Sequence, residues 1–182
     1  MQARHIPNMI TVARILLVGP VVWSLWRERY DLALGLFFVA GTSDALDGFL
    51  AKHFGWTSRL GALLDPLADK ALLVSCYAML SWNGLLPFWL LALVVARDLV
   101  IVSGAVAYNF RVEPLDARPS IISKANTFLQ ILLVLAVLAL QSFAPGAPAW
   151  LTGLIFAVSI STVWSGLDYV VTWGRRARRR HP

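Results

Sequence analysis

The amino-acid sequence reads as an all-α integral membrane protein, six transmembrane helices in one bundle with both termini cytoplasmic. Three observations lead to this architecture. Hydrophobic residues fill 58% of the 182 positions and charged residues only 14%, where a soluble domain carries about 25%. Six apolar segments approach the length of about 20 residues that crosses a bilayer. The basic residues between those segments gather on alternate connections, as the positive-inside rule requires. The length suits a single membrane domain over residues 1–182.

The first span covers about 10–26 and is interrupted only by Arg14. Arg4 and His5 precede it as in a secretory leader, but no small-x-small cleavage pattern follows, so it reads as a retained span. The second covers about 32–52, with Asp44 and Asp47 in its last turns. The third runs from about 60 to 82 and ends at the turn signal Asn83-Gly84. The fourth covers about 85–108, with Arg97 and Asp98 in its middle. The fifth covers about 120–141, and Pro145-Gly146-Ala147-Pro148 separates it from the sixth, about 150–173. Irregular backbone and open strand edges are excluded from lipid, so the spans are expected to be helices. Cys76 lies in an apolar run and reads as packing.

Arg4, Lys52, Arg59, Arg111, Arg118, Lys124 and the tail RRARRR fall on one side, while the other side holds only Arg27 and Arg29. Both termini are therefore expected in the cytoplasm. The net charge of +6 reflects this asymmetry and not a nucleic-acid partner. The tail is expected to meet anionic lipid headgroups, at about 1 kcal/mol per basic residue near the surface. Trp23, Trp26, Trp82, Trp150 and Trp173 fall near span ends, as interfacial anchors do.

Four of the ten acidic residues, Asp44, Asp47, Asp65 and Asp69, lie within 26 positions. The i, i+3 and i, i+4 spacings put each pair on one helix face. A hairpin turning near Gly55-Trp56-Thr57 sets Asp44 level with Asp69 and Asp47 level with Asp65. Four carboxylates meeting in a low dielectric repel strongly unless protons or cations compensate them. Hard divalent ions, Mg²⁺ or Mn²⁺, prefer carboxylate oxygen, and two of them would neutralise the cluster and clamp a phosphate. Acids inside a membrane are costly and mark function by default. Gly48 and Gly61, beside the pairs, allow a close approach. Pro66 stands near the start of the third helix, where it is tolerated or kinks the helix slightly.

The pattern Asp44, Asp47, Gly48, Ala51, Lys52, Gly61, Asp65, Asp69 resembles the CDP-alcohol phosphotransferase signature D-x2-D-G-x2-A-R-x8-G-x3-D-x3-D. Seven of eight fixed positions match with every gap intact. Lys52 stands at the arginine position, keeping the charge without the planar fork suited to phosphate. The stretch IPNMITVAR resembles the family's N-terminal segment, with Asn8, Thr11 and Arg14 on one helix face. The resemblance implies transfer of a phosphoalcohol from a CDP-alcohol to an acceptor hydroxyl, with release of CMP. It implies two divalent cations held by Asp44, Asp47 and Asp65, with Asp69 completing the metal cluster and serving as catalytic base. It also implies a CDP site at Asp44, Gly48, Ala51, Lys52 and Gly61, a homodimer, and a site facing the cytoplasm, as in a bacterial inner membrane.

Arg111, Arg118 and Lys124 flank the fourth and fifth spans and are candidates for an anion pocket. With Asn8, Thr11 and Arg14 they make up the expected acceptor and phosphate site. Arg14 interrupts an apolar helix and needs a partner. The segment RPSIISKANTFLQ and the pair Arg97-Asp98 resemble the cardiolipin-synthase subgroup, which uses CDP-diacylglycerol and phosphatidylglycerol. The alternative acceptor is glycerol 3-phosphate. Arg97 and Asp98, about 100° apart on a helix, are not expected to pair with each other. A divalent-cation transporter is a competing reading; it would need a polar path across the bilayer, whereas the acids lie on one side. A catalytically silent scaffold is the third.

Overall fold

This structure, a computed structural model, describes residues 6–54, 59–111, 120–146 and 148–178, with side chains over 12–43, 68–104, 120–146 and 148–172. The described residues form six helices and no strand: α1 (Ile6–Trp26), α2 (Tyr30–Phe54), α3 (Arg59–Trp82), α4 (Phe88–Arg111), α5 (Ile121–Phe143) and α6 (Ala149–Arg178). Each matches an expected span to within a few residues. The largest differences are at the start of α1, four residues earlier than expected, and at the end of α6, which continues into the basic tail. The expected hairpin turn near residue 56 lies outside the described residues, between the end of α2 and the start of α3.

The chain divides into two compact units. The first comprises Met1–Leu86 and Val134–Gly146, and the second Pro87–Leu133 and Ala147–Pro182. In the first, α1 packs against both α2 and α3. Its core includes Val21, Leu25, Phe37, Ala40, Leu72, Cys76, Tyr77 and Leu80, all buried. In the second, α4 packs on α6.

Two helix ends share one hydrogen-bond pattern. After α1, Glu28 N–H donates to Leu25 C=O (3.1 Å) and Arg29 N–H to Ser24 C=O (2.9 Å). After α3, Gly84 N–H donates to Ser81 C=O (3.0 Å) and Leu85 N–H to Leu80 C=O (2.9 Å). These are Schellman caps, which satisfy the last carbonyls and need a left-handed residue just past the helix. Gly84 supplies it at φ 75°, and Glu28 adopts it at φ 55°. The side-chain amide of Asn83 joins the two ends, donating to Leu25 C=O (2.9 Å) and to the Tyr30 hydroxyl (3.3 Å). The C-terminal ends of α1 and α3 therefore meet.

The exterior is apolar. Leu16, Phe38, Leu99, Phe128, Phe156, Ile160 and Trp164 are all exposed, a surface that suits hydrocarbon and not water. Among the described residues, α5 and the 149–172 part of α6 are long and apolar enough to cross a bilayer. Trp23, Trp26, Trp82 and Trp150 are exposed at helix ends, as expected of anchors. Trp164, in the middle of α6, does not follow that pattern.

The caps predict opposite effects. Gly84→Ala places a side chain in the left-handed region with no neighbouring atom to relieve or worsen it, and is expected to cost about 1 kcal/mol. Glu28→Gly removes the same strain and is expected to gain about 0.5 kcal/mol after the added freedom of the unfolded chain. Thermal unfolding in detergent checks both signs.

Candidate active site

The sequence-predicted residues fall on consecutive helices. Asp44, Asp47, Gly48, Ala51 and Lys52 occupy the C-terminal half of α2, while Gly61, Asp65 and Asp69 occupy the N-terminal half of α3. Asp44 stands ten residues before the end of α2, and Asp69 ten residues after the start of α3. Asp47 and Asp65 stand seven and six residues from the same ends. Helix α3 continues unbroken through Pro66. Asn8, Thr11 and Arg14 occupy the N-terminal half of α1. Of all these, only Arg14 and Asp69 have described side chains; the others are placed by backbone alone.

Those two side chains meet. Arg14 Nη1 donates to Asp69 Oδ1 at 2.7 Å, within the range of a charge-assisted bond. The Arg14 side chain is 1% exposed and that of Asp69 46%. A buried cation is thus held against a carboxylate that remains accessible. One of the four aspartates thus meets the need of Arg14, as an arginine interrupting an apolar helix, for a partner.

The donor set on α2 and α3 is all carboxylate, with no imidazole or thiol among its four candidates. Oxygen donors of that kind fit Mg²⁺ or Mn²⁺, and an accessible Asp69 carboxylate is compatible with an ion or substrate beside it. Among the described residues no group of three or more His, Cys, Asp or Glu side chains gathers at one point. The side chains of Asp44, Asp47 and Asp65 lie outside that set.

The remaining candidates belong to the second unit. Arg111 is the last residue of α4, and Lys124 is exposed in the first turn of α5. Arg118 lies outside the described residues. Ser120 caps α5 by accepting from Ser123 N–H at 3.2 Å, an N-cap of the usual kind.

Arg97 departs from expectation. Its Nη1 donates to Asp98 Oδ1 at 2.8 Å, although the two residues are neighbours on α4. The long guanidinium arm spans the 100° offset between neighbouring helix positions. Arg97 also donates through Nη2 to Ser123 Oγ (2.6 Å) and to Ser165 Oγ (2.7 Å), and its guanidinium carbon is 6.0 Å from the Tyr169 ring centroid. One turn along α5, Asn126 Oδ1 accepts from Ser161 (2.8 Å) and Thr162 (2.9 Å). Sequence reading passed over Ser123, Asn126, Ser161, Thr162 and Ser165. Their signal was present as small polar residues three or four apart on apolar helices, the pattern that joins helices in membranes.

The chain belongs to the CDP-alcohol phosphatidyltransferase family, whose sequence profile matches residues 4–165. It is 32% identical over 180 residues to human cardiolipin synthase (CMP-forming), covering 90% of this chain and 60% of that protein. It is 36% identical over 197 residues to the chloroplastic CDP-diacylglycerol–glycerol-3-phosphate 3-phosphatidyltransferase 1 of Oryza sativa subsp. japonica, covering 97% of this chain and 59% of that one. A Streptomyces coelicolor cardiolipin synthase (CMP-forming) is 32% identical over 184 residues, covering 95% of this chain and 84% of that protein. The chain thus spans about 60% of the length of the human and rice relatives. Family membership and the apolar helices together make this an integral membrane protein.

The Arg97 cluster predicts a graded response. Arg97→Ala leaves the Asp98 carboxylate without its buried partner and is expected to cost about 3 kcal/mol. Ser165→Ala removes only a hydroxyl acceptor and is expected to cost about 1 kcal/mol or less. Denaturation of the purified protein in mixed micelles measures the difference.

Proposed function

We propose that this chain transfers the phosphatidyl group of CDP-diacylglycerol to a hydroxyl of phosphatidylglycerol, forming cardiolipin and releasing CMP. The observation that carries the transfer chemistry is the aspartate pattern, split across α2 and α3 at matched distances from the C-terminal end of α2 and the N-terminal end of α3. In this reading the six helices are transmembrane spans with both termini cytoplasmic, the protein is a homodimer, and the site faces the cytoplasm of a bacterial inner membrane. The distribution of Lys and Arg supports the orientation.

Asp44, Asp47 and Asp65, with Asp69 completing the set, would hold two divalent cations, Mg²⁺ or Mn²⁺, whose charge offsets that of the pyrophosphate and of departing CMP. Gly48 and Ala51 leave room for the cytidine, Lys52 sets a positive charge near the phosphates, and Gly61 allows a close approach of the ligand. Asn8, Thr11, Arg111, Arg118 and Lys124 serve the acceptor. A lipid hydroxyl is a poor nucleophile near neutral pH, and Asp69 takes its proton. The acceptor oxygen forms a bond to the phosphatidyl phosphorus, and the bond from that phosphorus to the bridging oxygen breaks. CMP leaves with the electron pair.

A second reading has its own support. The rice relative is named for glycerol 3-phosphate as acceptor, so this chain would then make phosphatidylglycerophosphate by the same chemistry. The transporter and scaffold readings gain no support from the family or the named relatives.

Purified protein supplied with CDP-diacylglycerol, Mg²⁺ and either acceptor separates these readings by CMP release and the identity of the lipid formed. Cardiolipin is the expected product. Chelation is expected to stop the reaction, and added Mg²⁺ or Mn²⁺ to restore it. Asp69→Asn is expected to lower kcat by about 10²- to 10⁴-fold, the usual range for a lost general base, while near-normal turnover would remove Asp69 from that role.

A further inference from the structure

We propose that Arg14 is a positioning residue for the Asp69 carboxylate and not a ligand of the acceptor's phosphate. The inference rests on the reading of Asp69 as base and adds the group that holds it. Arg14 lies twelve residues before the end of α1, and Asp69 thirteen before the end of α3, about 18 and 20 Å back along two helices whose C-terminal ends meet at Asn83. Register therefore brings the two residues level, and the 2.7 Å bond from Nη1 to Oδ1 joins them.

The exposures decide between the two roles. A residue that receives a headgroup must present its charge to the open side. The Arg14 side chain is 1% exposed, whereas Asp69 is 46% exposed. Val12, Ala13, Ile15 and Leu16 around Arg14 all face outward, so the guanidinium is the inward element of that stretch. The charge that reaches the accessible side is that of the carboxylate, with the guanidinium buried against it. An aspartate has only two side-chain torsions, and its terminal one is broad and roughly two-fold. A buried donor on one oxygen narrows that freedom and fixes the direction of the other. Since α1 packs on both α2 and α3, the arginine comes from the helix that touches both aspartate-bearing elements.

The test uses the full chain in detergent micelles, with CDP-diacylglycerol, phosphatidylglycerol and Mg²⁺. Arg14→Ala is expected to lower kcat about 100-fold, the scale of a misplaced catalytic group. The KM for acceptor and the directly measured affinity for CDP-diacylglycerol should stay within twofold. Arg14→Lys, which keeps a cationic donor, should regain at least tenfold of the lost kcat. In the Arg14→Ala background, Asp69→Asn should cost far less than in the native chain, because the two residues act as one unit. Should Arg14→Ala fail to fold, Arg14→Gln is judged by the same kcat, KM and coupling criteria. A tenfold rise in acceptor KM at unchanged kcat would make Arg14 a headgroup ligand and overturn the proposal. Fully additive losses, or an Arg14→Ala kcat within threefold of native, would also overturn it. If Asp69→Asn is inactive and Arg14→Ala is not, only this inference falls. If the native chain releases no CMP with either acceptor, the functional reading falls, and this one with it.

Discussion

An arginine removed from water is tolerated only where its charge is met and its N–H groups find acceptors. Among the described residues, Arg14 and Arg97 are the buried charged side chains, one in each compact unit. Arg14 reaches from α1 to Asp69 on α3. Arg97 reaches from α4 to Ser123 on α5 and Ser165 on α6. In a medium as apolar as the helix surfaces themselves, burying more hydrocarbon gains little, so polar contacts of this kind carry the register between helices. Each guanidinium fixes how far one helix is advanced along its neighbour.

That register matters most on α2 and α3. The spacing of the aspartates specifies a face on each helix, but a face is useful only if the helices stop at the same level. The observed helix bounds set Asp44 and Asp69 at equal distances from the ends that flank residues 55–58. At the far end of α3, the side-chain amide of Asn83 ties α3 to α1. Arg14 and Asp69 are twelve and thirteen residues back from those joined ends. The Asn83 contact and the ion pair thus agree on one alignment of α1 with α3.

The family match and the aspartate pattern in the sequence point to one chemistry, while the named relatives divide over the acceptor. This division has a physical basis. In the proposed reaction, donor activation would rest on carboxylates and cations, and any acceptor hydroxyl would meet the same phosphorus. Acceptor choice depends on a few cationic or polar groups placed to fit a headgroup. Here those candidates are spread over α1, α4, α5 and the segment between α4 and α5, so short stretches of sequence constrain them weakly.

The helices, their approximate ends, the aspartate pattern and the need of Arg14 for a partner were all legible in the sequence, because each follows from local spacing or from the cost of burying charge. The choice of Asp69 as that partner was not legible, since it depends on which of two neighbouring helices α1 meets at that depth. Nor was the bond from Arg97 to Asp98, because a long side chain can cross the angle that residue spacing suggests it cannot. The serines and Asn126 that complete the Arg97 cluster look individually like ordinary polar residues in membrane helices. Periodicity decides which face of a helix is polar; only tertiary packing decides which polar faces meet, because that depends on rotation and advance between helices far apart in the chain.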